Sequence, residues 1–70
     1  MIVYVVQKHN HFDYDAVIGV RFDKEEAGEI VKKYLGEYIG DELSIEEWNA
    51  VTGEFTGNRW SWSSGSEFRW

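Results

Sequence analysis

The stretch AVIGVRFDKEEAGEIVKKYLG, residues 16–36, contains the change of hydrophobic period from which the fold is read. Ala16 to Phe22 is rich in β-branched residues and reads as a strand, and Gly19 in its middle predicts a bulge or close packing against a helix. At Asp23 the pattern changes. Asp23-Lys24-Glu25-Glu26 offers an aspartate N-cap with a glutamate three residues on, a capping-box variant that satisfies free amides at a helix start. Ala27, Ile30, Val31, Tyr34 and Leu35 then recur at three- and four-residue spacing and form one apolar stripe. Glu25 and Glu29 come early and Lys32 and Lys33 late, matching the helix dipole, and Gly36 is a C′ stop. Gly28 costs about 1 kcal/mol relative to Ala and predicts close approach to the sheet.

On the N-terminal side, Ile2 to Val6 is β-branched and aromatic without interruption, as suits a central strand. The polar stretch His9–Asp15 between the two strands reads as a loop or flared hairpin. On the C-terminal side, Leu43 and Ile45 alternate, then Trp48 and Ala50 take the other parity, which predicts a β-bulge near Glu46 or Glu47. Thr56-Gly57-Asn58 reads as a turn, and Arg59 to Ser63 as a fourth strand with Trp60 and Trp62 on one face. The expectation is an α+β fold: one domain over residues 1–70, a β-β-α-β-β antiparallel sheet with one helix packed on one face. Residues 63–70 form an edge strand or a flexible end.

Composition narrows the function. The chain has 70 residues and no Cys, so no disulfide or thiolate zinc site reinforces a domain of this size. An aromatic fraction of 17% compensates, because each such ring removes roughly 150–250 Å² from water. Thirteen acids against seven bases give a net charge of −6, which argues against direct nucleic-acid binding. The apolar start is too short for a signal or a membrane span, so the expected location is the cytoplasm. Asp41, Glu42, Glu46, Glu47 and Glu54 join Glu25, Glu26 and Glu29 in an acidic set dense enough to cover one side, though Lys24, Lys32 and Lys33 interrupt it.

Motifs for chemistry are few. His9, His11, Asp13 and Asp15 alternate, so an extended segment would project imidazoles and carboxylates to one side, and His9, His11 and Asp13 are the metal candidates. Four such ligands spread over roughly 20 Å, so they converge only if the loop folds back. There is no nucleophile elbow, and the glycines form neither G-x-G-x-x-G nor a P-loop. No catalytic residue and no cofactor is assigned, and a metal-binding or small catalytic domain on His9, His11 and Asp13 is the alternative reading.

VYVV at residues 3–6, IGV at 18–20, DKEEA at 23–27 and LSIEEWNA at 43–50 resemble a group of small uncharacterised bacterial and phage proteins. Their corresponding pieces read VYV, IGVYSSxExA and FSIDEYxL. The resemblance covers about residues 2–52 and implies a fold and a cellular context, host cytoplasm for a phage protein, rather than an activity. GNRWSW at 57–62 departs from it. The leading expectation is a non-enzymatic protein-binding module acting by stoichiometric association with a host or viral protein, in the manner of an inhibitor or anti-defence factor. Trp60, Trp62, Phe68, Arg69 and Trp70, with Glu46 and Glu47, are its expected contact residues, because exposed Trp beside Arg has the composition of a binding hot spot. A homodimer paired through an edge strand or the tryptophan face is the third reading.

Overall fold

A computed structural model describes residues 1–9, 15–35, 42–63 and 65–70. Four strands and one helix follow in the order β1 (Ile2–His9), β2 (Ala16–Arg21), α1 (Lys24–Leu35), β3 (Glu42–Asn49) and β4 (Glu54–Ser63), a small α+β domain.

The expected β-β-α-β-β sheet with one helix packed on one face is corrected in how its parts sit together. The sheet is antiparallel with spatial order β2-β1-β3-β4, so two hairpins meet along β1 and β3, and the helix is the crossover between them. Nor does the helix cover the face unaided. It packs mainly over β1, β2 and β3, and the C-terminal segment closes the part over β4. The aromatic spacing of the tail makes this possible. Phe68 lies 5.1 Å from Trp62 between ring centroids, and Trp70 meets Trp60, Trp62 and Phe68 at 5.6, 5.8 and 5.3 Å with near-perpendicular rings. The Trp62 indole N–H donates to the Arg69 carbonyl at 2.7 Å, which fixes the end of the chain to β4.

The two internal glycines are explained by these neighbours. A Cβ on Gly28 would lie 2.6 Å from Trp70 Cζ2 and 2.8 Å from Phe68 Cζ, so Gly28 makes room for the tail rather than for the sheet. A Cβ on Gly19 would lie 2.6 Å from Ile30 Cδ1, so here the helix does sit close on the strand. The register of β1 with β2 also shifts at this level, from Val6 opposite Gly19 to Gln7 opposite Val17, which leaves Ile18 as the extra residue of a bulge.

Helix and sheet meet in a core of Val6, Ala27, Val31, Leu35, Leu43, Ile45 and Trp62. Asp23 caps the helix, its carboxylate accepting from the Glu25 amide at 2.8 Å. The pairing of β1 with β3 is unbroken from Ile2–Asn49 to His9–Glu42, so β3 itself is regular. The irregularity expected there lies in β4: Glu46 faces Arg59 and Trp48 faces Phe55, which places Thr56, Gly57 and Asn58 opposite Glu47 alone. Those three residues are therefore a bulge within β4, with Gly57 at φ +98°, and not the turn between strands. The turn is Ala50–Gly53. Asn49 Oδ1 accepts from the Val51 and Thr52 amides at 3.0 and 3.3 Å, and Gly53 closes it at φ +75°.

Tyr4 faces Glu47 across β1 and β3, and burial first, then the Glu47 carboxylate, raise its phenol pKa above the ordinary 10.0. The raised value means that the folded state holds the phenolic proton more tightly than the unfolded chain. That stability is complete below pH about 10 and is lost as pH rises through the folded value. Alkaline unfolding of the protein is expected to be steeper than that of Tyr4→Phe over this window. Equal slopes would remove Tyr4 as the cause.

Candidate functional site

The sheet face opposite α1 is left uncovered by every described element. Strand alternation sends Val6, Leu43, Ile45 and Trp62 to the helix side, so their neighbours line the other face in rows fixed by the register. One row is Val3–Trp48–Phe55. The next is Val20–Val5–Glu46–Arg59, followed by Val17–Gln7–Ser44–Ser61 and then His9–Glu42–Ser63.

The rows differ in chemistry. Trp48 and Phe55 pack with ring centroids 5.4 Å apart, and the Trp48 indole N–H donates to Glu46 Oε1 at 3.3 Å. The same carboxylate oxygen accepts from the Gln7 amide at 2.9 Å, while Arg59 Nε lies 3.6 Å from Glu46 Oε2 and its Nη2 3.7 Å from Glu42. Arg59 is thereby held over the middle of the face, one row from an aromatic pair in which Phe55 is exposed and Trp48 half-buried. Aromatic and arginine side chains already fixed in place lose little rotamer freedom on association.

The last two rows hold an arrangement that the sequence did not suggest. His9 Nδ1 lies 3.0 Å from Asp15 Oδ2, and His9 Nε2 lies 2.7 Å from Ser44 Oγ. With the Nδ1 proton donated to Asp15, Nε2 accepts from the Ser44 hydroxyl, the atom order of a serine hydrolase relay. The surroundings withhold the rest of that chemistry. Ser44 is 0% exposed in the middle of a strand paired on both sides, so Oγ is closed to a substrate, and among the described residues the nearby amides belong to the sheet ladder rather than to an oxyanion site. Arg59 Nη2 also reaches His9 Nε2 at 3.3 Å and competes for the same lone pair. The trio is a satisfied polar network that fixes this end of the face. Sequence reasoning missed it because its members are far apart in the chain, His9 at the end of β1, Asp15 just before β2 and Ser44 on β3. Its one local signal was the alternation of His9 with Asp15.

The expected site residues are dispersed. Trp60, Trp62, Phe68 and Trp70 are brought together, but they face one another on the helix side, with Lys24 Nζ 4.5 Å above the rings of both Trp60 and Trp70. Arg69 points to solvent and pairs with Glu67 at 3.1 Å. Glu46 belongs to the opposite face, and Glu47 accepts from Thr56 and Asn58 at 3.0 and 3.2 Å. His9 is engaged as above, while His11 and Asp13 lie outside the described residues. Among the described residues no three His, Cys, Asp or Glu side chains are placed to hold a metal, and no helix is long and apolar enough to cross a membrane. The acidic residues do not share one side: Glu42 and Glu46 line the uncovered face, Glu25, Glu26 and Glu29 belong to α1, and Asp41 lies outside the described residues.

Residues 1–57 match the family model described as Domain of unknown function (DUF7336). No curated protein and no solved structure matches the chain.

Proposed function

From the premise that the chain belongs to the DUF7336 family, we propose that it is a non-enzymatic protein-binding module acting by stoichiometric association, with the uncovered sheet face as its contact surface. The supporting observation is that Val3, Trp48 and Phe55 form an apolar row beside the anchored Arg59. That combination has the makeup of an interface centre, an aromatic anchor beside a positioned arginine, with polar groups already paired at its border. Of the tail tryptophans expected to serve this role, Trp62 is buried in the core, Trp60 is half-buried and Trp70 stays 41% exposed. Inhibition of a host protein is the form of this reading that the resemblance to bacterial and phage proteins favours.

The test is affinity capture from the source cell with three immobilised proteins: the wild type, Phe55→Ala/Arg59→Ala, and Arg69→Ala. A partner held in fixed stoichiometry by the wild type and by Arg69→Ala, but lost from Phe55→Ala/Arg59→Ala, supports the uncovered face. A partner lost from Arg69→Ala alone moves the contact to the tail and overturns the assignment.

A further inference from the structure

The outer edge of β2 and the α1 side chains above it carry a self-complementary pattern, and we propose that they are the interface of a homodimer. This surface is separate from the Trp48–Phe55–Arg59 end of the face. β2 is an edge strand, and on it Val17 and Val20 are 60% and 47% exposed. The Val20 carbonyl accepts a hydrogen bond from the guanidinium of Arg21 at 2.8 Å, a bond that pairing of this edge replaces with one from a strand amide. Between the strand and the helix runs a groove of about 450 Å³, whose lining includes Ile18, Arg21, Glu26, Glu29, Ile30 and Lys33.

Two midpoints coincide at this groove. Only Phe22 and Asp23 separate β2 from α1, so the helix returns antiparallel along its own strand. Gly19, at the middle of β2, lies under Ile30, which stands midway between Glu26 and Lys33 on the helix. A two-fold axis between Ile18 and Gly19, normal to the sheet, therefore acts on both elements alike. It pairs β2 antiparallel with the second copy's β2 and sets Val17 against the second copy's Val20, and the reverse, on the uncovered face. β-branched cross-strand pairs of this kind stabilise a sheet. On the other face it brings Glu26 towards the second copy's Lys33 and Lys33 towards the second copy's Glu26, opposite charges at both ends.

Spacing fits long side chains. The helix lies over β1, so the two helices stand three strand spacings apart, about 14 Å. That is beyond direct helix packing at about 8–10 Å and within the joint reach of a Glu and a Lys. The Ile18 bulge, which would disturb pairing with an unrelated strand, lies beside the axis and meets the second copy's Gly19, which has no side chain to clash with it. Pairing extends the sheet to eight strands and presents the Phe55–Arg59 surface twice on one side. A second copy is thus the occupant this edge fits.

Sedimentation velocity from about 1 μM to about 1 mM decides it, with far-UV circular dichroism confirming the fold of each variant. The wild type is expected to dimerise in this range, and Val17→Lys to remain monomeric. Lys33→Glu replaces two attractions by two repulsions and is expected to raise the dissociation constant about tenfold. The double variant Glu26→Lys/Lys33→Glu exchanges the charges and is expected to return to within about twofold of the wild type. A wild type that stays monomeric throughout overturns the proposal and leaves the edge to a strand of another protein. A dimer indifferent to both Val17→Lys and Lys33→Glu overturns it by placing the contact elsewhere.

Discussion

Trp62→Ala is expected to lose about 3–5 kcal/mol of stability, the usual range for removing a buried tryptophan. Trp62 is 7% exposed, packs at a tilt against Phe68, meets Trp70 edge to face and donates to the Arg69 carbonyl. Alanine removes the ring on which the C-terminal segment rests as well as its own burial. A small domain has a total stability near the lower end of about 5–15 kcal/mol, so the variant should be largely unfolded at room temperature or close to it. Urea unfolding followed by far-UV circular dichroism measures this without relying on the indole that was removed. Trp70→Ala should cost less, about 1–2 kcal/mol, because Trp70 is 41% exposed and contributes mainly its edge-to-face contacts. Equal losses at the two positions would show that the tail supports the core as strongly as β4 does.

The second large effect is a reversal of sign at Gly28. In an ordinary helix Gly→Ala stabilises by about 1 kcal/mol. Here the added methyl would overlap Phe68 and Trp70, and displacing them is expected to destabilise the full chain by about 1–3 kcal/mol. In a chain ending at Ser66 the obstacle is gone, so Gly28→Ala should there be stabilising. The four thermal or urea midpoints, with and without the tail and with Gly or Ala, form a closed cycle. If the substitution has the same sign in both backgrounds, the tail does not occupy the space above Gly28.

The helix was legible from its apolar spacing and the Asp23 cap, because a short-range pattern fixes both. The hairpin between β3 and β4 was misplaced for a physical reason. Thr56-Gly57-Asn58 carries strong turn composition, yet in β4 those residues form a bulge. The actual turn depends on the single side chain of Asn49, with Gly53 four residues later. Alternation correctly grouped Trp60 with Trp62, but it could not show what would cover them, since the cover comes from Phe68 and Trp70 beyond the strand. The uncovered face was the least legible part. Its network joins His9, Ser44 and Arg59 from three strands, and only the register of β1 with β3 and β3 with β4 brings them together.

The joining of the two hairpins along β1 and β3 also sets the order in which the chain can assemble. Each hairpin, and the helix between them, closes over a short span, on the microsecond scale typical of such elements. The β1–β3 seam pairs Ile2 with Asn49 and His9 with Glu42, so it forms only once the intervening chain has been looped back. Folding speed should therefore follow this seam and little else. Substitutions at Val6 or Ile45, which face each other there, should slow refolding, whereas changes in the Ala50–Gly53 turn should mainly hasten unfolding. During synthesis the first strand must wait, unpaired on the side that will become the centre of the sheet, until the third has left the ribosome.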